Sequence, residues 1–122
     1  MLLKTITYSF GEAKYYAKFI HFKFNEDLKE VVLENSKQIF ADVESFYGSD
    51  KYVFISERGL GTSLDPSFIK SLNLSKMKAV AVVSPDVAKR RDELIKEQNY
   101  IKGSFAFFTS YEAAEHWART FD

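Results

Sequence analysis

The sequence predicts a single α/β domain over residues 1–122, with an N-terminal β-hairpin leading into (βα) repeats and a mixed, mostly parallel five-stranded sheet. Three runs carry that prediction. KYVFIS (51–56), AVAVVS (79–84) and SFAFFT (104–109) are apolar on both parities, as strands in the parallel centre of a sheet are. Helix signals follow each of them, giving the order β-β-α-β-α-β-α-β-α. Alternation of this kind with short connections demands right-handed parallel crossovers. A chain of 122 residues is one domain by length. At that size about two-thirds of the unfolded surface is buried, enough for a core without covalent staples.

The elements follow in order. ITYSF (6–10), Gly11-Glu12 and AKYYAKFIHFKF (13–24) predict a hairpin. In its second strand Tyr16, Ile20, Phe22 and Phe24 share one parity, while Tyr15, Phe19, His21 and Lys23 share the other, so one face is core and one is mixed. Asn25 is the expected cap of a helix of about six turns. Glu26 and Asp27 stand in its first turn, Leu28, Val32, Ile39, Val43 and Phe46 recur along one face, and Gly48 stops it. Asp65-Pro66 opens a short helix over SFIKSL, and Ser84-Pro85-Asp86 opens another over VAKRRDELIKEQ, with each proline at the first helical position. Ser110 caps a last helix, whose Ala114, Trp117, Ala118 and Phe121 fall at i, i+3, i+4 and i+7.

Composition narrows the function classes. Lys plus Arg equals Asp plus Glu at 17 each, so no net charge draws the chain to nucleic acid or to a membrane surface. Cysteine is absent, which excludes disulfides and thiol chemistry. No apolar run long enough for a transmembrane helix or a signal peptide occurs, and the expected location is the cytoplasm. Twelve Phe, seven Tyr and one Trp predict a phenylalanine-filled core, with some rings available to a partner surface or an apolar pocket.

The stretch SERGLGTSLDPS (56–67) follows a buried strand, at the carboxyl edge where ligands bind in open parallel sheets. Three readings compete for it. As a nucleotide fingerprint, Gly59-Leu60-Gly61-Thr62-Ser63-Leu64 lacks the third small residue. As a binding loop, Arg58 offers a planar fork, Thr62 and Ser63 offer hydroxyls, and Ser67 stands at a helix start that attracts anions. As punctuation, the glycines permit positive φ and Asp-Pro starts the helix. An exposed Arg58 would then be solvated or paired with a carboxylate such as Glu57. Punctuation is the leading account of the three, and the loop, about ten residues long against the usual two to six, keeps the site reading open beside it. Glu112 and His116 lie four apart without a third ligand, so no metal is predicted, and Arg90-Arg91 reads as a salt-bridged surface. No catalytic constellation emerges, and neither an enzyme nor a cofactor is expected.

FISERGLGTSLDP, KMKAVAVVSPD and FAFFTSYEAAEHWA together resemble the small STAS-like, SpoIIAA-like proteins, relatives of anti-sigma-factor antagonists and related in fold to CRAL-TRIO lipid-binding domains. The resemblance covers about residues 50 to 120. Its features are Ile55-Ser56 followed by Arg58, Ser63-x-Asp65-Pro66, the strand end Ala81-Val82-Val83-Ser84, and Ala113…Trp117-Ala118 in the last helix. It implies a (βα) superhelix and a non-enzymatic, self-associating regulatory or interaction module. It also points to Ser67, within Asp65-Pro66-Ser67-Phe68, as the positional equivalent of a phosphorylatable serine, although the flanking Asp-Ser-Ser-Gly pattern differs. Such a superhelix puts most helices on one face, yet the central strands are apolar on both. Either a helix crosses over, or a second copy or an apolar ligand covers the other face. The expectation is therefore an interaction module that forms a homodimer and binds a protein partner. The alternative is a carrier of an apolar or lipid-like molecule, with the 56–67 loop at the pocket mouth.

Overall fold

The computed structural model describes residues 1–121 and has the predicted α/β architecture. The sheet holds six strands, not five, in the order β1 (Lys4–Tyr8), β2 (Gly11–Tyr15), β3 (Phe19–Phe24), β5 (Tyr52–Glu57), β7 (Met77–Val83) and β8 (Ser104–Phe108). The first two pairings are antiparallel and the last three parallel. The extra strand arises because residues 13–24 are not one strand. The chain reverses at Tyr16–Lys18, where the Tyr16 N–H donates to the Phe19 carbonyl at 2.9 Å. That reversal inverts parity, so Ala13 and Tyr15 of β2 share a core with Ile20, Phe22 and Phe24 of β3. The first turn falls at Ser9-Phe10, with Gly11 already in β2.

The long helix is also shorter than the sequence predicts. Asn25 does not cap it. The Asn25 side chain donates to the Ser9 carbonyl at 2.8 Å, and its N–H donates to the Phe10 carbonyl at 3.0 Å. Residues beyond it instead form β4 (Glu30–Val31), which pairs in parallel with β6 (Ser63–Leu64) as a separate two-stranded sheet. Helix α1 (Leu33–Tyr47) then spans 15 residues, about four turns. Gly48 ends it at φ 60°, its N–H donating to the Glu44 carbonyl. Asp65 caps a 3₁₀ helix at Pro66–Ser71 as predicted. Residues 85–90 form turns, so α2 (Arg91–Gln98) begins at Arg91 and not beside Pro85. Ser110 caps α3 (Tyr111–Ala118), accepting from the Ala113 N–H at 3.3 Å.

Because β3, β5, β7 and β8 are parallel and adjacent in chain order, right-handed crossovers set α1, the 3₁₀ helix and α2 on one face. Ile39, Val43 and Tyr47 of α1 and Leu94 of α2 pack there on Ile20, Phe22, Phe54, Val80 and Val82. The other face belongs to α3. Ala114 and Ala118 lie on Val53, Ile55, Ala79, Ala81 and Val83, with Trp117 and Phe121 beside them. The two-sided apolarity of the central strands is thus resolved within the chain, by a helix that crosses over. Over β2 and β3 that same face is mixed: Phe19 is buried at the start of β3 with Tyr16 stacked on it, and Glu12, Lys14, His21 and Lys23 supply the polar positions of the alternation. Among the described residues no helix is long and apolar enough to cross a membrane.

Candidate functional site

The 56–67 loop leaves β5 at the carboxyl edge and is fastened from within. Arg58 is 5% exposed. Its Nη1 and Nη2 donate to Glu97 Oε1 and Oε2, each at 2.8 Å, and its Nε donates to Ser56 Oγ at 3.1 Å. Its partner is therefore the carboxylate on α2 and not Glu57, which instead shares a 2.7 Å hydrogen bond with His21 Nε2. That bond is the main cause holding the Glu57 carboxyl below its usual range, against the opposing effect of burial. The Tyr111 ring stacks on His21 at 4.0 Å between centroids.

Arg90 forms a second internal clamp, and it is a buried residue, 5% exposed, where the sequence suggested a surface. Its Nη1 donates to the Thr62 carbonyl at 2.6 Å, its Nη2 to the Gly59 carbonyl at 3.3 Å, and its Nε to Asp86 Oδ1 at 3.0 Å. Burial alone would raise the Asp86 carboxyl, but donation from Ser84 and Arg90 together with the Arg90 charge bring it down to about 2. Thr62 is buried and donates to the Leu28 carbonyl at 2.7 Å, which ties the loop to the segment after β3. Gly59 allows that close approach, since a Cβ there would lie 2.7 Å from the Glu26 carbonyl oxygen, and Gly61 turns the chain at φ +78°.

The four sequence-predicted site residues therefore divide. Arg58 and Thr62 point inward and are fully engaged. Ser63 is exposed on β6, and its hydroxyl donates to the Lys29 carbonyl at 3.2 Å. Ser67 is exposed, its N–H and hydroxyl both donating to Asp65 Oδ1, at 2.9 and 2.8 Å. They do not converge on one ligand position.

Three spaces adjoin the loop, one of them an open shelf of about 400 Å³ where Ser67 and Asp65 face Lys96, Asn99 and Tyr100. An open cleft of about 510 Å³ runs along the carboxyl edge, walled by Lys23, Glu26, Glu57, Pro85, Thr109 and Tyr111, with Leu60 on its rim. Leu60 is 70% exposed, an apolar tip on a loop whose polar groups are turned inward. The interior space between α1, the 3₁₀ helix and the sheet is only about 50 Å³; it is lined mainly by apolar side chains, with Arg58 and Glu97 at one end. Ser84 is no nucleophile, being fully buried with its hydroxyl donated to Asp86.

Sequence reasoning missed Glu97 and Arg90, although both left a signal. They flank Leu94 at i+3 and i−4, so two charged residues stand on the buried face of α2. A charge at such a position implies a buried partner. Comparison with protein-family models, with curated proteins and with solved structures gave no match for this chain.

Proposed function

We propose that this chain is a non-enzymatic, self-associating interaction module of the STAS-like, SpoIIAA-like type, and that its carboxyl-edge loop is the surface presented to a protein partner. One observation carries the reading. The loop is held rigid from behind by the Arg58–Glu97 and Arg90–Asp86 clamps, while Leu60 projects into solvent beside an open cleft. Such preorganisation limits the entropy lost on binding, and an exposed apolar side chain beside a concave surface is a docking feature. Ser67 supplies a means of control. A phosphate on its exposed hydroxyl would set new negative charge against Asp65, whose carboxylate the Ser67 N–H and hydroxyl keep ionised by lowering its pKa. The cap of the 3₁₀ helix would then be lost and the loop beside it altered.

Carriage of an apolar molecule has less support. An enclosed apolar site of that kind requires roughly 300–1,000 Å³, against an interior space of about 50 Å³, and the larger carboxyl-edge cleft is open and carries Lys23, Glu26 and Glu57 on its walls. The test is capture of host proteins on immobilised chain, comparing the native sequence with Leu60→Asp. Retained partners that vanish with Leu60→Asp, at unchanged melting temperature, support the reading. An identical set on both baits removes the loop from it, and a hydrophobic small molecule copurifying with the native chain favours the carrier.

A further inference from the structure

Both sheet faces are covered or polar, so the sheet edges remain as places to self-associate. They differ. β1 begins with Lys4 and has Thr5 and Thr7 exposed, whereas β8, Ser-Phe-Ala-Phe-Phe, carries no charge and no proline. Natural edges are ordinarily blunted by such residues, and an unblunted edge is a template for another strand.

The β8 register with β7, together with donation from the Ser84 N–H to the Phe108 carbonyl at 3.1 Å, turns the backbones of Ser104, Ala106 and Phe108 toward β7. The N–H and C=O groups of Phe105 and Phe107 therefore point outward. Among the described residues no backbone hydrogen bond from another segment reaches them. Helix α3 does not stand in front of this edge, since it turns back over β7 and β5. On the opposite face, Glu97 reaches toward β5 and Arg58. Ile95 stands about 160° round the helix from Glu97, on the flank turned away from β5, and is 45% exposed.

We propose that two copies of the chain join by antiparallel pairing of β8 with β8 about a two-fold axis at Ala106, making one continuous sheet. This deepens the self-association proposed above and rests on it. The sequence of the edge is self-complementary in that register. Phe105 of each copy lies opposite Phe107 of the other, and these two residues exchange their outward N–H and C=O groups. Ala106 meets its own counterpart at the close, non-hydrogen-bonded position, where a small side chain fits. Phe105 and Phe107 are half-buried on the α2 face and extend its apolar layer across the axis, with the exposed Ile95 on the outer flank of that helix. No like charges meet within the strand, and beyond it Lys102 falls opposite Ser110, beside Glu112 in the first turn of α3. A foreign strand would gain the backbone bonds but not this reciprocal match.

The absence of cysteine makes the register testable with one substitution. At the axis the Cα atoms of Ala106 and its counterpart would be about 4.5 Å apart, inside the window for a disulfide. In the same register Ser104 faces Phe108, leaving residue 104 roughly 13 Å from its own counterpart. The experiment is sedimentation of the full chain over a concentration series, with mild oxidation of Ala106→Cys and Ser104→Cys. Expected results are a species of twice 14.1 kDa, near-complete cross-linking of Ala106→Cys, none of Ser104→Cys, and slower amide exchange at Phe105 and Phe107 as concentration rises. Ile95→Glu should weaken the dimer about tenfold or more while the monomer's melting temperature stays unchanged. A dimer that forms without the Ala106→Cys cross-link overturns the edge pairing and leaves self-association standing. A monomer throughout the series overturns both.

Discussion

Arg58 and Glu97 are 5% and 4% exposed, and a pair so buried is stable only while both members are present. Arg58→Ala should destabilise the fold by about 3–5 kcal/mol, because Glu97 would be left charged and unpaired in an apolar setting. Arg58→Met combined with Glu97→Leu should recover most of that loss, since a well-packed apolar pair of similar volume is often as stable as the ions. Urea unfolding of the two variants checks this, and equal loss in both would mean that the fold requires the ion pair and its hydrogen bonds and not merely a filled volume. At this scale the sequence was legible where a residue acts on its neighbours. The Asp65 cap, the Ser110 cap and the Gly48 stop each depend on two or three adjacent positions, and all three are present. It was illegible where a residue acts across the fold. Nothing in the spacing of 39 positions between Arg58 and Glu97 tells which carboxylate the guanidinium will find.

Helix α3 is held by small residues on both sides of its contact, Ala114 and Ala118 against Ala79 and Ala81, all at 0–1% exposure. Alanine on both surfaces brings the helix close to the sheet and leaves no room for a longer side chain. Ala114→Leu should therefore cost about 1–3 kcal/mol through overpacking, read as a lowered unfolding midpoint. Ala113→Leu, at an exposed position on the same helix, should change little and serves as the control. The parallel strands and this helix were legible as elements because an unbroken apolar run or an i, i+3, i+4, i+7 stripe arises in few other ways. The segment from Asn25 to Val32 was not. Cap, acidic first turn and apolar spacing all favoured helix locally, but pairing of Glu30–Val31 with Ser63–Leu64 and the hydrogen bonds of Asn25 to the β1–β2 turn draw the backbone elsewhere. Tertiary partners over-rode propensity there, and they lie more than thirty residues away for β4 (from Glu30 to Ser63).

Across the whole molecule, carboxylates set the response to acid. Asp86 titrates at about 2 in the folded chain, against about 3.9 when unfolded. Its folded value is the lower one, so its stabilisation is complete above about pH 4 and is lost as pH falls toward 2. Glu57, also lowered, adds a contribution of the same sign. Urea midpoints measured from pH 7 down to pH 2 should fall steeply below about pH 4. Asp86→Asn should be less stable at pH 7 by about 2 kcal/mol and should show a shallower acid slope; an unchanged slope would assign the acid sensitivity to other groups. The global layout was legible as a class of fold, whereas the strand count depended on a reversal at Tyr16–Lys18 that no glycine or proline marks, and the owner of the second face on where α3 docks after β8. The position of Trp117 carries one more consequence. The chain's single indole sits with Phe108 and Phe121 in the α3 layer, while Tyr15, Tyr47 and Tyr52 cluster on the opposite face. Tyr16 and Tyr111 share the indole's layer, so the indole belongs wholly to one half of the interior while the tight tyrosine cluster marks the other. Indole emission reports the docking of one helix, and phenol near-ultraviolet dichroism is weighted toward the layer behind it, so the order in which the two layers come apart can be followed without attaching a label.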